Sequence, residues 1–248
     1  MSPPVVSQAD DDAMSDRAAA TGGPWPALLN DPAHGPLPAA LLILTVVTGL
    51  VDAVSILDLG RVFVANMTGN VVFVGFALAG APGFSLAASL SALVGFLVGA
   101  ATAGRLVARL KDRPALIRAG LLAELALAVI ALTISAAEGR TLAEMARDVI
   151  AADLAIAMGV QNAVVRELKV PDLTTTVLTM TLTGIAAEFR TAGSSVAIRR
   201  ILAVLSMLGG AALGAVLVIH AEPAWALAVA TGLMAAALLL VTVRRDWA

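Results

Sequence analysis

Beyond residue 36 the chain alternates long apolar stretches with short polar breaks. Eight stretches stand at roughly 37 to 57, 62 to 81, 85 to 108, 114 to 137, 148 to 166, 173 to 190, 200 to 221 and 223 to 243. Segments such as Leu86 to Gly104 and Ile201 to Ile219 are apolar or small on every side, which suits lipid and leaves no polar face for water. The pattern predicts an all-α integral membrane protein. Two stretches are interrupted at their centres, the second by Asn66-Met-Thr68-Gly-Asn70 and the sixth by the threonine run Thr174 to Thr183. A Thr-Gly-Asn turn lowers helix propensity, and free backbone groups at depth survive only where protein or water meets them. Six spanning helices plus two broken or re-entrant segments are therefore expected, with eight spans as the alternative.

A second pattern is repetition. Gly49, Asp52, Ala53 and Val54 match Gly159, Asn162, Ala163 and Val164 at a shift of about 110, and Thr68 matches Thr179 at about 111. Gly99-Ala-Ala with Gly104 resembles Gly209-Gly-Ala with Gly214, and Pro114 matches Pro223. Four matches in order at a nearly constant shift predict two pseudo-repeated halves, residues 37–137 and 148–243. With three spans each they would be inverted, and the broken segments would meet near mid-membrane from opposite sides.

Composition agrees with lipid as the solvent: 59% of the 248 residues are hydrophobic and 14% charged, with mean hydropathy +0.92. Residues 1–36, with Asp10-Asp11-Asp12 and Gly22-Gly-Pro-Trp-Pro26, read as a disordered acidic tail on the cytoplasmic side rather than a signal peptide. The chain has no cysteine, and its two histidines, His34 and His220, lack ligand spacing, so neither metal nor cofactor is implied. A net charge of -2 argues against nucleic acid as a partner.

The basic residues separate the two topologies. Eight spans divide the 16 Lys and Arg evenly. Six spans leave only Arg61, Arg140 and Arg147 on one side and the other thirteen opposite, which favours six spans with both termini cytoplasmic.

The polar residues inside the stretches are the candidate chemistry. Thr45, Thr48, Asp52 and Ser55 share one face of the first helix, either lining a cavity or bonding their own preceding carbonyls. Asn66 and Asn70 present two amides on one side if that segment is helical, with Thr68 beside them and Thr175, Thr179 and Thr181 opposite. With Gln161 and Asn162 they form the candidate substrate-binding set: Asp52, Asn66, Thr68, Asn70, Gln161, Asn162, Thr179 and Thr181. The same groups would equally bond helices together. Asp52 and Glu124 are candidates for a proton or cation link, since a carboxyl at depth needs a partner. Asp153 and Glu188 are expected near segment ends. The glycine-rich faces around Gly95, Gly99 and Gly104, and around Gly209, Gly210 and Gly214, predict close helix packing within the chain or in a homo-oligomer. Trp225 and Trp247 fit interfacial belts.

The blocks Gly49-x-x-Asp52-Ala53, Val62-Phe-Val-Ala-Asn-Met-Thr-Gly-Asn70 and Met158-Gly-Val-Gln-Asn-Ala163, followed by the threonine stretch, resemble the YoaK family of bacterial membrane proteins over roughly residues 38–243. Met180 departs from the glycine usual there. The resemblance implies a domain of unknown function with about six spans in the bacterial inner membrane, and brings no substrate or reaction.

No Ser/His pair, His-Glu-x-x-His or nucleotide loop is present, which argues against an enzyme and against direct use of ATP. Duplicated halves with polar breaks at depth point to a small-solute transporter or channel-like permease. The alternatives are a non-transporting membrane scaffold and an intramembrane enzyme using Asp52 with Glu124 or Asp153.

Overall fold

The structure, a computed structural model, describes residues 34–188 and 194–244. Most of the acidic tail, and Trp247, lie outside the described residues. Among the described residues eight helices follow one another: α1 (Leu37–Leu57), α2 (Met67–Leu78), α3 (Leu86–Arg109), α4 (Arg113–Glu138), α5 (Glu144–Leu168), α6 (Thr179–Ala187), α7 (Ser194–His220) and α8 (Pro223–Val243). Their starts are chemically marked. Prolines stand in the first turns of α1, α4 and α8, where a missing N–H costs nothing. Ser85 caps α3 by accepting from Ala88 N, and Asp112 caps α4 by accepting from Ala115 N.

Six of these helices are long and apolar enough to cross a bilayer. The other two are not: 12 residues of α2 rise about 18 Å and 9 residues of α6 about 14 Å, against roughly 30 Å of hydrocarbon. Each short helix follows an irregular segment that begins with left-handed residues, Gly60 and Arg61 before α2, Lys169 and Asp172 before α6.

Cross-links between loops fix which helix ends share a face. Asp58, just past α1, lies 4.0 Å from Arg147 near the start of α5. Burial pushes the Asp58 carboxyl above its usual range and Arg147 acts against that. Arg140 Nε donates to Ala221 O at 3.1 Å, and a Cβ on Gly83 would stand 3.1 Å from Arg61 Nη1. These contacts gather the α1–α2, α2–α3, α4–α5 and α7–α8 connections on one face. On the opposite face Arg113 Nη2 donates to Leu168 O, Arg118 Nη2 to Val241 O at 3.2 Å, and Arg200 bonds Asp172 at 2.7 Å and Glu188 at 2.8 Å. Eight spans would separate Asp58 from Arg147 and Arg118 from Val241 by the full membrane. The chain therefore has six spans, and each short helix returns to the face its segment came from.

α1 and α5 are the most buried helices. α1 packs on α7 and α8, α5 packs on α3 and α4, α4 meets α8, α2 lies on α3 and α6 on α7. Each contact has a counterpart when α1 to α4 are exchanged for α5 to α8. The closest approaches repeat the match atom by atom. A Cβ on Gly99 would meet Ile156 O at 2.0 Å, and one on Gly210 would meet Val46 O at 2.1 Å. A Cβ on Gly159 would meet Phe96 O at 2.1 Å, and one on Gly49 Met207 O at 2.4 Å. Only glycine allows backbones this near. The sequence alignment of Gly99 with Gly209 is thus one residue out: Gly210 makes the equivalent contact, while Gly209 and Gly104 have nothing within 4 Å of a Cβ.

Candidate functional site

The site starts from two irregular segments held against the middle of α1 and α5. Residues 62–66 run back toward the membrane interior beside α1, where Ala65 N donates to Asp52 Oδ1 at 3.3 Å. Asn70, fully buried in α2, holds the same segment. Its Oδ1 accepts from Phe63 N at 2.9 Å and its Nδ2 donates to Phe63 O at 2.6 Å. The carboxamide acts as a neighbouring peptide would, satisfying a backbone with no other ladder. Stacking of Phe63 on Phe73 at 5.7 Å, and a tilted contact of Phe73 with Phe84 at 5.0 Å, fasten α2 between this segment and the start of α3.

The second segment, residues 170–178, makes different bonds. Gln161 on α5 is fully buried, and its Nε2 donates to Thr48 Oγ1 of α1 at 3.1 Å and to Thr175 Oγ1 at 2.9 Å. Thr48 in turn donates to Leu44 O at 2.9 Å. Thr176 Oγ1 donates to Asn162 Oδ1 at 2.6 Å, and Asn162 Nδ2 to Met158 O at 2.9 Å. Thr175 adopts φ 62°, a left-handed conformation that a β-branched side chain enters only under strain. Its hydroxyl bond to Gln161 is the visible restraint. Gln161 Oε1 is buried without a hydrogen-bond partner.

The residues expected to bind a solute therefore divide. Gln161 joins α1 to the second segment, Asn162 is tied to Thr176 of that segment, and Asp52 is tied instead to Ala65 of the first. Asn70 is committed to Phe63. Asn66 stands outside the helix as the residue preceding α2, with φ -111° and ψ 86°, so the one-sided Asn66/Asn70 pair does not form. Thr68 and Thr179 are exposed in the first turns of α2 and α6, while Thr181 is buried. Thr48, Thr175 and Thr176, which complete the network, stood outside the expected binding set. The signal for Thr48 was its place one turn before Asp52; the signal for Thr175 and Thr176 was the threonine run itself.

Of the two remaining carboxyls, Asp153 departs from its expected place near a segment end and Glu124 keeps its place at depth. Asp153 is half-buried nine residues inside α5, because that helix starts at Glu144. Glu124 is buried in the middle of α4, and its Oε2 has no hydrogen-bond partner. Among the described residues no three His, Cys, Asp or Glu side chains are grouped to hold a metal ion.

A cavity of about 680 Å³ lies between α3, α5 and the second segment, lined by Phe96, Ala100, Asn162, Arg166, Thr174 and Thr176. A neighbouring one of about 540 Å³ shares Gly104, Val107, Glu167 and Lys169 with it. Together they lead from the end of α5 to the Asn162–Thr176 bond.

The profile of the family described as a protein of unknown function, DUF1275, matches residues 40–240, which contain all six spans but for the outermost turns of α1 and α8. The chain belongs to this family. It is 31% identical over 148 residues to the UPF0700 transmembrane protein YoaK of Bacillus subtilis (strain 168), covering 60% of this chain and 65% of that protein. No solved structure matches.

Proposed function

We propose that this membrane protein is a small-solute permease built from two inverted halves, with its polar site at the α1–α5 contact. The observation that carries the reading is the Gln161 amide, which joins the middle of α1 to the second returning segment and keeps one buried oxygen unmatched. Packing alone gives little reason to place an unmatched carbonyl oxygen beside two hydroxyls at this depth; a solute that donates a hydrogen bond there does. The mirrored helix contacts support the inverted halves, since α1 and α5 run in opposite directions with equivalent neighbours. Solutes suited to amides and hydroxyls are small and polar, and the cavity reaching Asn162 gives access from one face. That face also carries most of the basic residues, which orients it to the cytoplasm of a bacterial inner membrane.

The test is flux. Purified protein in liposomes is challenged with a panel of small polar solutes and swelling is followed by light scattering. Wild type should admit at least one solute faster than empty liposomes, and Gln161→Leu should cut that rate about tenfold or more at equal folded yield. Rates equal to empty liposomes across the panel would sink the reading. The scaffold alternative rests on Asn70 and Asn162, whose bonds serve backbone and neighbouring side chains. It is favoured if Gln161→Leu changes assembly and no solute moves.

A further inference from the structure

The α4–α5 register brings a second buried oxygen level with the one assigned to the solute. Glu124 Oε2 on α4 and Gln161 Oε1 on α5 are both enclosed and without hydrogen-bond partners. The register of the two antiparallel helices places them level. A Cβ on Gly120 would meet the Val164 side chain at 2.9 Å. One turn further along α4 is Glu124, and one turn back along α5 are Val160 and Gln161. Their needs are complementary: a carboxylic acid has a proton to donate, and an amide oxygen can only accept. With no solute bound, a single buried water between them would satisfy both.

The surroundings offer an ionised carboxylate nothing else. Between Pro223 and Val243, α8 has no titratable residue, and α5 has none between Leu154 and Val165. On α3 the first are Arg105 and Arg109, at its far end. On α4 itself Arg118 is engaged with Val241 O. The nearest titratable group on α5 is Asp153, whose Oδ2 is also buried without a partner; Glu144, Arg147 and Asp148 stand at the start of that helix and Arg166 and Glu167 at its end, with Arg113 and Glu138 at the ends of α4. By the same register Asp153 lies about 10 Å from Glu124 toward the start of α5, and Ser135, another buried oxygen without a partner, lies beyond it on α4.

We propose that Glu124 is a proton-binding site, reached from the face at the start of α5 past Ser135 and Asp153, and linked through Gln161 to the bridge between Thr48 and Thr175. Loading adds one proton from water to the carboxylate, and release returns it to water; no other bond changes. This deepens the permease reading by naming the coupling ion, yet its test needs no solute.

The experiment is infrared spectroscopy of the full chain in lipid nanodiscs, stepping pH and exchanging into D2O. The expected result is a carbonyl band of a protonated carboxylic acid that disappears on raising pH, shifts on deuteration, and is absent from Glu124→Gln. Asp153→Asn should keep the band and slow its deuteration. If Glu124→Gln does not fold, Gln161→Leu serves instead, moving the band to higher frequency through loss of its hydrogen-bonded neighbour. A wild type without the band at any pH overturns the proposal, as does a band that neither exchanges nor titrates. A band whose loss requires sodium makes this a cation site and likewise overturns it. A titrating band in a protein that moves no solute removes the permease and leaves the proton site standing; flux without the band does the reverse.

Discussion

At the residue scale, polar groups at membrane depth were visible in the sequence, but their partners were not. Asn70 shows why. Its apparent partner was Asn66, four residues earlier, and that pairing presumed a helix that in fact begins at Met67. Its actual partner is the backbone of Phe63, a peptide group that carries no sequence signature. Thr48 was legible as a polar position on α1, while its acceptance of a bond from Gln161 depends on how α1 meets α5. The bonds make Asn70 structural. Asn70→Leu leaves the N–H and C=O of Phe63 buried and unmet, at about 1–3 kcal/mol for each group. Unfolding of the purified protein in micelles should show a loss of that order. Thr68→Ala, at an exposed position in the same helix, should change stability by less than about 0.5 kcal/mol. Equal losses for the two variants would mean that Asn70 does not hold the segment.

At the element scale, all eight apolar stretches became helices, and their ends were the weaker part of the reading. α5 begins at Glu144 and α7 at Ser194, several residues before the apolar signal, because the polar turns Glu144-Met-Ala-Arg-Asp148 and Ser194 to Arg199 extend the helices beyond hydrocarbon. Hydropathy finds what lies in lipid; hydrogen bonding decides where a helix stops. The glycine motifs were legible as packing faces, and their register was not, since two adjacent glycines, Gly209 and Gly210, offer the same composition. Contact separates them. Gly210→Ala drives a methyl into the Val46 carbonyl and can be relieved only by parting α1 from α7, so it should cost at least the 1–3 kcal/mol or so typical of overpacking. Gly209→Ala meets nothing and replaces a poor helix former by the best one, so stability should hold or rise slightly. Denaturant titration of both variants in micelles checks the contrast, and a reversed order would refute the assigned register.

At the scale of the whole molecule, the number of spans was the open choice in the sequence, and charge counting alone leaned toward six. One ion pair and one arginine–carbonyl hydrogen bond between distant parts of the chain supply the independent argument. Asp58 can meet Arg147, and Arg118 can meet the Val241 carbonyl, only if the α2 and α6 segments turn back. Labelling of single cysteines in intact cells tests this without reference to any solute, because the natural chain has none of its own. Pro82→Cys and Thr141→Cys share one face in either topology, and Lys111→Cys and Pro171→Cys share the other. The deciding position is Glu222. With six spans Glu222→Cys labels with Pro82 and Thr141; with eight it labels with Lys111 and Pro171. The comparison is independent of which face is cytoplasmic, since only the grouping matters. Grouping with Lys111 would remove the opposed returning segments, and with them the inverted halves on which the permease reading depends. Grouping with Pro82 would leave the Gln161 bridge tying α1 to a segment that enters from the face opposite the first, an arrangement that inverted-repeat transporters use.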